Sequence, residues 1–224
     1  MKLIVTGATG FIGQEVIRQS LSRPEITSII ALSRKPIPIP ITLTTNDDDD
    51  DKNNDRLKNL LVEDYLNYSD DVKKEFADAD ACIWTVAITP MDAKNYTPEQ
   101  VKQVCQESPL AGLRAIHQAG PARARARARA RAKPFRFLYM SGSAAERDQS
   151  KKPKIMAEYM LMRGCSSCGL IIGLYVWILT GHRSIDVGVL AAVMVEQVIT
   201  GFEKEEDPLM SGDLIRIGKG VKVV

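Results

Sequence analysis

Three glycines and one guanidinium carry the sharpest chemical signal in this chain of 224 residues. Gly7, Gly10 and Gly13 stand at GxxGxxG spacing within Thr6-Gly7-Ala8-Thr9-Gly10-Phe11-Ile12-Gly13. The apolar run Leu3-Ile4-Val5 precedes them, and a helical pattern starts at Phe11. A tight turn needs glycine at Gly7, where a side chain would clash or demand an unfavourable backbone angle. Gly10 would let the backbone approach a pyrophosphate, and Gly13 would let the helix pack on the strand. The free N–H groups of the helix start then face the phosphates with a partial positive charge. The whole loop, Gly7, Ala8, Thr9, Gly10, Phe11, Ile12 and Gly13, is therefore expected to cradle a nicotinamide dinucleotide.

The guanidinium decides which dinucleotide. An acid at the end of the second strand would hydrogen-bond the adenosine ribose of NAD. Ser33-Arg34-Lys35 stands there instead. Arg34 can pair with a ribose 2′-phosphate through two parallel bonds, and Lys35 adds a second positive charge. NADP is expected, in preference to NAD. Glu63 and Asp64, after the third strand, are expected to approach adenine. Thr85, Val86 and Ala87, ending the fourth, are expected to border the adenosine or nicotinamide ribose, because ligands of parallel sheets sit at the carboxyl edge.

Other reactive residues are harder to assemble into sites. Cys165 and Cys168 have CxxC spacing, but there is no second pair, and His117 and His182 are the only histidines. A structural zinc site needs four ligands, so no metal is expected. The run Asp47 to Asp51 reads as a solvated loop. Arg123, Arg125, Arg127, Arg129 and Arg131 alternate with alanine, without an aromatic residue to stack on bases. That segment reads as a loop expansion rather than a nucleic-acid site. A net charge of +2 announces neither nucleic acid nor membrane.

The elements that must hold the glycine loop follow from hydropathy patterning. Residues 2–6, 26–32, 60–62, 81–88 and 135–140 read as strands, and 11–22, 70–77, 97–119, 154–163 and 185–202 as helices. This alternation predicts an α/β fold: a doubly wound parallel sheet of Rossmann type with helices on both faces. One domain over 1–224 is expected, interrupted by low-complexity loops at 44–55 and 121–134. The apolar window 169–181 is too short for a typical spanning helix, which needs ~20 residues. It reads as a buried sixth strand with a core turn, membrane attachment being the alternative. Leu214-Ile215-Arg216-Ile217 reads as a last short strand. The start of the chain has no secretory pattern and four cysteines make no disulfide framework, so a cytoplasmic protein is expected.

Together these motifs resemble the atypical, extended-type short-chain dehydrogenase/reductases. TGATGFIG is similar to that family's phosphate loop, and Leu138-Tyr139-Met140-Ser141-Gly142-Ser143 to its serine-bearing fifth strand end. Ala157-Glu158-Tyr159-Met160-Leu161-Met162-Arg163-Gly164 resembles its active-site helix, especially in fungal proteins similar to Tat-interacting protein. The resemblance implies an NADP-dependent oxidoreductase acting on a carbonyl or hydroxyl group. It implies Tyr159 as general acid/base and Ser143, with Ser141 next, as the group polarising the substrate oxygen. The family's lysine position holds Arg163, which stays charged but grips a ribose differently. After Gly164 the family's longer substrate-side stretch and its Pro-Gly turn are missing, so 164–224 reads as an abbreviated substrate region. These two departures leave a second expectation open: an NADP(H)-binding regulator or scaffold without turnover.

Overall fold

Alternation along each strand explains the layers. In a strand, successive side chains point to opposite faces, and a parallel sheet buries both. In the computed structural model Leu3 and Val5 join one apolar cluster while Ile4 between them joins a second. Ile29 and Ala31 alternate in the same way with Ile30 and Leu32, and Ile83 with Cys82 and Trp84. The sheet must therefore be covered by helices on each side, as the hydropathy pattern implied.

The structure describes residues 1–37, 55–89, 91–120, 135–141, 150, 171–173, 185–201 and 211–223. Among these, six strands form one sheet: β1 (Lys2–Thr6), β2 (Ser28–Ser33), β3 (Leu57–Leu61), β4 (Ala81–Trp84), β5 (Arg136–Ser141) and β6 (Ile171–Gly173). Their order is β3-β2-β1-β4-β5-β6, and every neighbouring pair is parallel. This is the doubly wound Rossmann order, whose direction of winding reverses at β1. Helix α1 (Phe11–Leu21) lies on the first face beside two C-terminal helices, α4 (Val187–Thr200) and α5 (Ser211–Gly218). Helix α2 (Asp70–Phe76) covers the second through Phe76, together with Ala115 and Ile116. Helix α3 runs from Pro98–Lys102 through a wider π-type turn, Gln103–Glu107, into Ser108–Ala119. Thr97 caps it through a capping box with Gln100, one side chain bonding each way.

Three expectations change. The third strand lies earlier than 60–62, at Leu57–Leu61, because its register is set by β2, where Ile29 pairs with Leu57. The fourth stops at Trp84 rather than Ile88, because the next residue turns to bond β1. Leu214 to Ile217 belongs to helix α5, not to a strand. There Leu214 and Ile217, one helical turn apart, pack on the α1–α4 core, and exposed Arg216 pairs with Asp213 at 3.5 Å. A short apolar run fits both periods, and the available core face selected the helix. Of the apolar window 169–181, residues Ile171–Gly173 are β6, paired with Tyr139–Ser141. Among the described residues no helix is long and apolar enough to cross a membrane.

Candidate functional site

Because all strands run parallel, the residues that follow Thr6, Ser33, Leu61 and Trp84 emerge at one edge. Those residues are the glycine loop, Arg34, Glu63 with Asp64, and Thr85 to Ala87. Topology thus gathers four segments widely separated in sequence.

At Gly7 and Gly13 the loop has the geometry that the spacing required. Gly7 has φ +68°, a left-handed conformation, and a Cβ there would stand 2.6 Å from Thr85 Oγ1. A Cβ on Gly13 would lie 2.2 Å from the Gly7 carbonyl oxygen, so only glycine lets α1 start this close to the loop. Gly10 has an ordinary φ of −80° and is exposed, so its own backbone makes no demand for glycine. Gly10 N–H donates to Gly7 O at 2.8 Å, and Ala8 N–H donates to Leu32 O at 3.2 Å. These two amides are spent on shaping the turn. The first-turn amides of α1, from Phe11 to Gly13, lack intrahelical acceptors, and Gly10 supplies no side-chain cap. Phe11 is 77% exposed, so the helix start faces open space rather than core.

Beside the loop lies a cavity of about 320 Å³, lined by Arg34, Glu63, Asp64, Val86 and Ala87 among others. Five residues singled out by the sequence thus line one cavity. Arg34 is exposed at the end of β2 and makes no ion pair among the described residues. Asp64 spends both carboxylate oxygens locally, accepting from Leu66 N–H at 2.8 Å and Asn67 Nδ2 at 2.7 Å. Thr85 and Lys35 do not line the cavity. The Thr85 hydroxyl donates to Thr6 O at 2.6 Å, and its N–H donates to Thr6 Oγ1 at 3.2 Å. It fastens β4 to β1 where the two strands diverge.

Tyr65 connects the cavity to the loop, and sequence reasoning missed it. Its hydroxyl donates to Leu32 O at 3.0 Å and accepts from Gly7 N–H at 3.5 Å. Burial pushes this phenol above its ordinary range, against the opposing pull of the Gly7 N–H and the Arg34 charge, so it stays a neutral donor. Its ring meets Trp84 edge to face at 5.6 Å between centroids. The only sequence signal was its place directly after Glu63-Asp64, at a strand's carboxyl end. Asp92, Tyr96 and the α3 residues Gln103, Val104 and Ser108 also line the cavity and carried no motif.

Ser143, Tyr159 and Arg163 lie outside the described residues, as do Cys165, Cys168, His182, Asp47 to Asp51 and Arg123 to Arg131. Ser141 ends β5 at the same sheet edge as the loop. Among the described residues no group of three or more His, Cys, Asp or Glu could hold a metal.

A parallel α/β sheet of order β3-β2-β1-β4-β5-β6, with a glycine turn after its first strand, defines a Rossmann-type fold. No protein-family model matches the chain, and no curated protein does. Solved structures share the fold. One is a Bacillus halodurans protein provisionally named as an NAD-dependent epimerase/dehydratase: TM-score 0.61, 14% identity, covering 98% of this chain and 99% of that one. Another is MoeE5, solved with UDP-glucuronic acid and NAD: TM-score 0.50, 14% identity, 74% of this chain and 47% of that one. The chain thus matches about half the length of MoeE5.

Proposed function

We propose that this chain is an NADP-dependent oxidoreductase of the atypical short-chain dehydrogenase/reductase type, moving hydride to or from a carbonyl or hydroxyl group. One observation carries the reading: a glycine turn leading into an uncapped helix start is joined through Tyr65 to a cavity lined by Arg34, which makes no ion pair among the described residues. A diphosphate would meet the Phe11 and Ile12 amides. The ribose 2′-phosphate would meet Arg34, helped by Lys35 further out, and adenosine would fill the cavity between Glu63, Asp64, Val86 and Ala87. The neighbours named above bear on this reading through their fold and through the NAD recorded with one of them. Bound NADPH would supply the hydride for carbonyl reduction, and NADP⁺ would accept it in the reverse direction. Tyr159 would act as acid/base on the substrate oxygen, Ser143 would orient that oxygen, and the Arg163 charge would lower the tyrosine pKa.

Titration with NADPH and NADH tests the cofactor assignment. The wild type should prefer NADPH, and Arg34→Ala should erase a preference of about 10–100-fold, the worth of charge-assisted bonds. A wild-type preference for NADH, or an unchanged ratio in Arg34→Ala, would refute the assignment. Turnover is tested separately by NADPH oxidation across a panel of carbonyl compounds. Tyr159→Phe should abolish it while retaining cofactor affinity.

The residue at position 163 favours a second reading, an NADP(H)-binding regulator or scaffold. Arginine is not a conservative replacement for a ribose-gripping lysine. Cofactor affinity without Tyr159-dependent turnover would select it.

A further inference from the structure

Helix α3 departs from regular geometry where it borders the cavity. In an α-helix the N–H of residue 109 would bond the Cys105 carbonyl, four residues back. Pro109 has no N–H, and its ring would collide with that carbonyl. The helix widens instead: Ser108 N–H reaches back five residues to Gln103 O, and Ser108 Oγ donates to the same oxygen at 2.9 Å. The Cys105 carbonyl is satisfied from another element. The hydroxyl of Tyr139, buried on β5, donates to it at 2.9 Å.

The same turn is clasped to the cavity wall. Ile88 N–H donates to Cys105 Sγ at 3.4 Å, and the Cys105 thiol donates to Ile88 O at 3.7 Å. Ile88 lines the cavity, and so do Gln103, Val104 and Ser108 from the widened turn. On either side the helix keeps its own buried face: Val101 packs with Ile88 and Cys105, whereas Ala115 and Ile116 pack on the second sheet face. A regular helix advances 100° per residue, so closing the turn would rotate one part against the other. Gln103 and Ser108 would then no longer both face the cavity. Wider turns of this kind occur frequently at functional sites.

We propose that Pro109 and Tyr139 are positioning residues for ligand binding: together they hold the π-type turn that presents Gln103, Val104 and Ser108 to the cavity. The inference rests on the reading that this cavity takes the adenosine half of NADP. Neither residue touches the ligand. Pro109 forbids the regular helix, and Tyr139 donates to the Cys105 carbonyl that residue 109 would have served.

The test compares the full-length wild type with Pro109→Ala, Tyr139→Phe and the double variant. Kd for NADPH is read by fluorescence titration and Tm by thermal unfolding. Pro109→Ala restores the missing N–H, so Tm should hold or rise while NADPH binding weakens by about tenfold. A merely structural proline would move the two together. Tyr139→Phe should lower Tm in the wild-type background and much less in Pro109→Ala, where the backbone N–H of residue 109 takes over the Cys105 carbonyl. Unchanged NADPH affinity in Pro109→Ala, or a parallel loss of affinity and Tm, would overturn the proposal. An equal Tyr139→Phe effect in both backgrounds would overturn the part given to Tyr139. A wild type that binds no NADPH would end the cofactor reading itself, and this inference with it.

Discussion

Gly13 is held to glycine by the backbone of the loop: a Cβ there would stand 2.2 Å from the Gly7 carbonyl oxygen and 2.8 Å from its carbon. That oxygen belongs to the backbone and cannot swing away, so the helix or the loop must move. Gly13→Ala is expected to destabilise the fold by roughly 1–3 kcal/mol, the range of overpacking, and to cut NADPH affinity as the first-turn amides shift. Chemical denaturation and nucleotide titration check the two effects. Tyr65 is the residue whose role was least visible beforehand. A tyrosine among apolar neighbours looks like core, and it is 7% exposed. Only the structure aims its hydroxyl at Leu32 O and Gly7 N. Tyr65→Phe keeps the ring against Trp84 but leaves Leu32 O without that donor. It should cost about 1–3 kcal/mol of stability and weaken NADPH binding more than binding of 2′-AMP, which carries no diphosphate.

Helix ends and their anchors govern the element scale. Arg136, at the start of β5, donates to Ile199 O at 2.9 Å and also to Val198 O, two carbonyls that the end of α4 leaves without helical partners. Arg136→Ala should therefore destabilise the chain by roughly 1–3 kcal/mol, read by urea denaturation, without altering nucleotide preference. Within α1, Glu15 pairs with Arg18 at 2.6 Å and accepts from Gln19 at 2.9 Å. The Arg18 bond, opposed by partial burial and aided by Gln19, holds the Glu15 carboxyl below the usual carboxylate range. A depressed folded pKa adds stability above the unfolded value of ~4.3, and that stability disappears as pH falls through the folded pKa. Glu15→Gln should lose up to about 1 kcal/mol at pH 7 and little at pH 3, a small effect because solvent screens the pair. Strands β1 and β2 and helices α1 and α4 were legible because apolar runs or stripes mark them. The extent of β3 and β4 was not, because hydrogen-bonding partners across the sheet end a strand, and those partners lie far away in sequence.

At the scale of the whole molecule, parallel pairing brings four strand ends to one edge, and both sheet faces are buried to hold that edge in place. A ligand that binds only this folded arrangement must stabilise it. NADPH at a hundred times its Kd should add about 2.7 kcal/mol, raising Tm by roughly 5–10 °C. NADH at the same concentration should raise it less, and Arg34→Ala should bring the two shifts together.

Local chemistry was written in the sequence: glycines at two loop positions where a Cβ has no room, and apolar runs that became the central strands. Gly7 and Gly13 could be found that way because each acts through its own backbone. Tertiary structure alone decided that Leu214 to Ile217 would coil onto the α1–α4 core. It also decided that Tyr65 would brace the loop and that Pro109 would open a turn closed from β5 by Tyr139. Each of these outcomes depends on a partner supplied by another element. A pattern along the chain records what a residue is able to do, and only packing selects which neighbour it does it with.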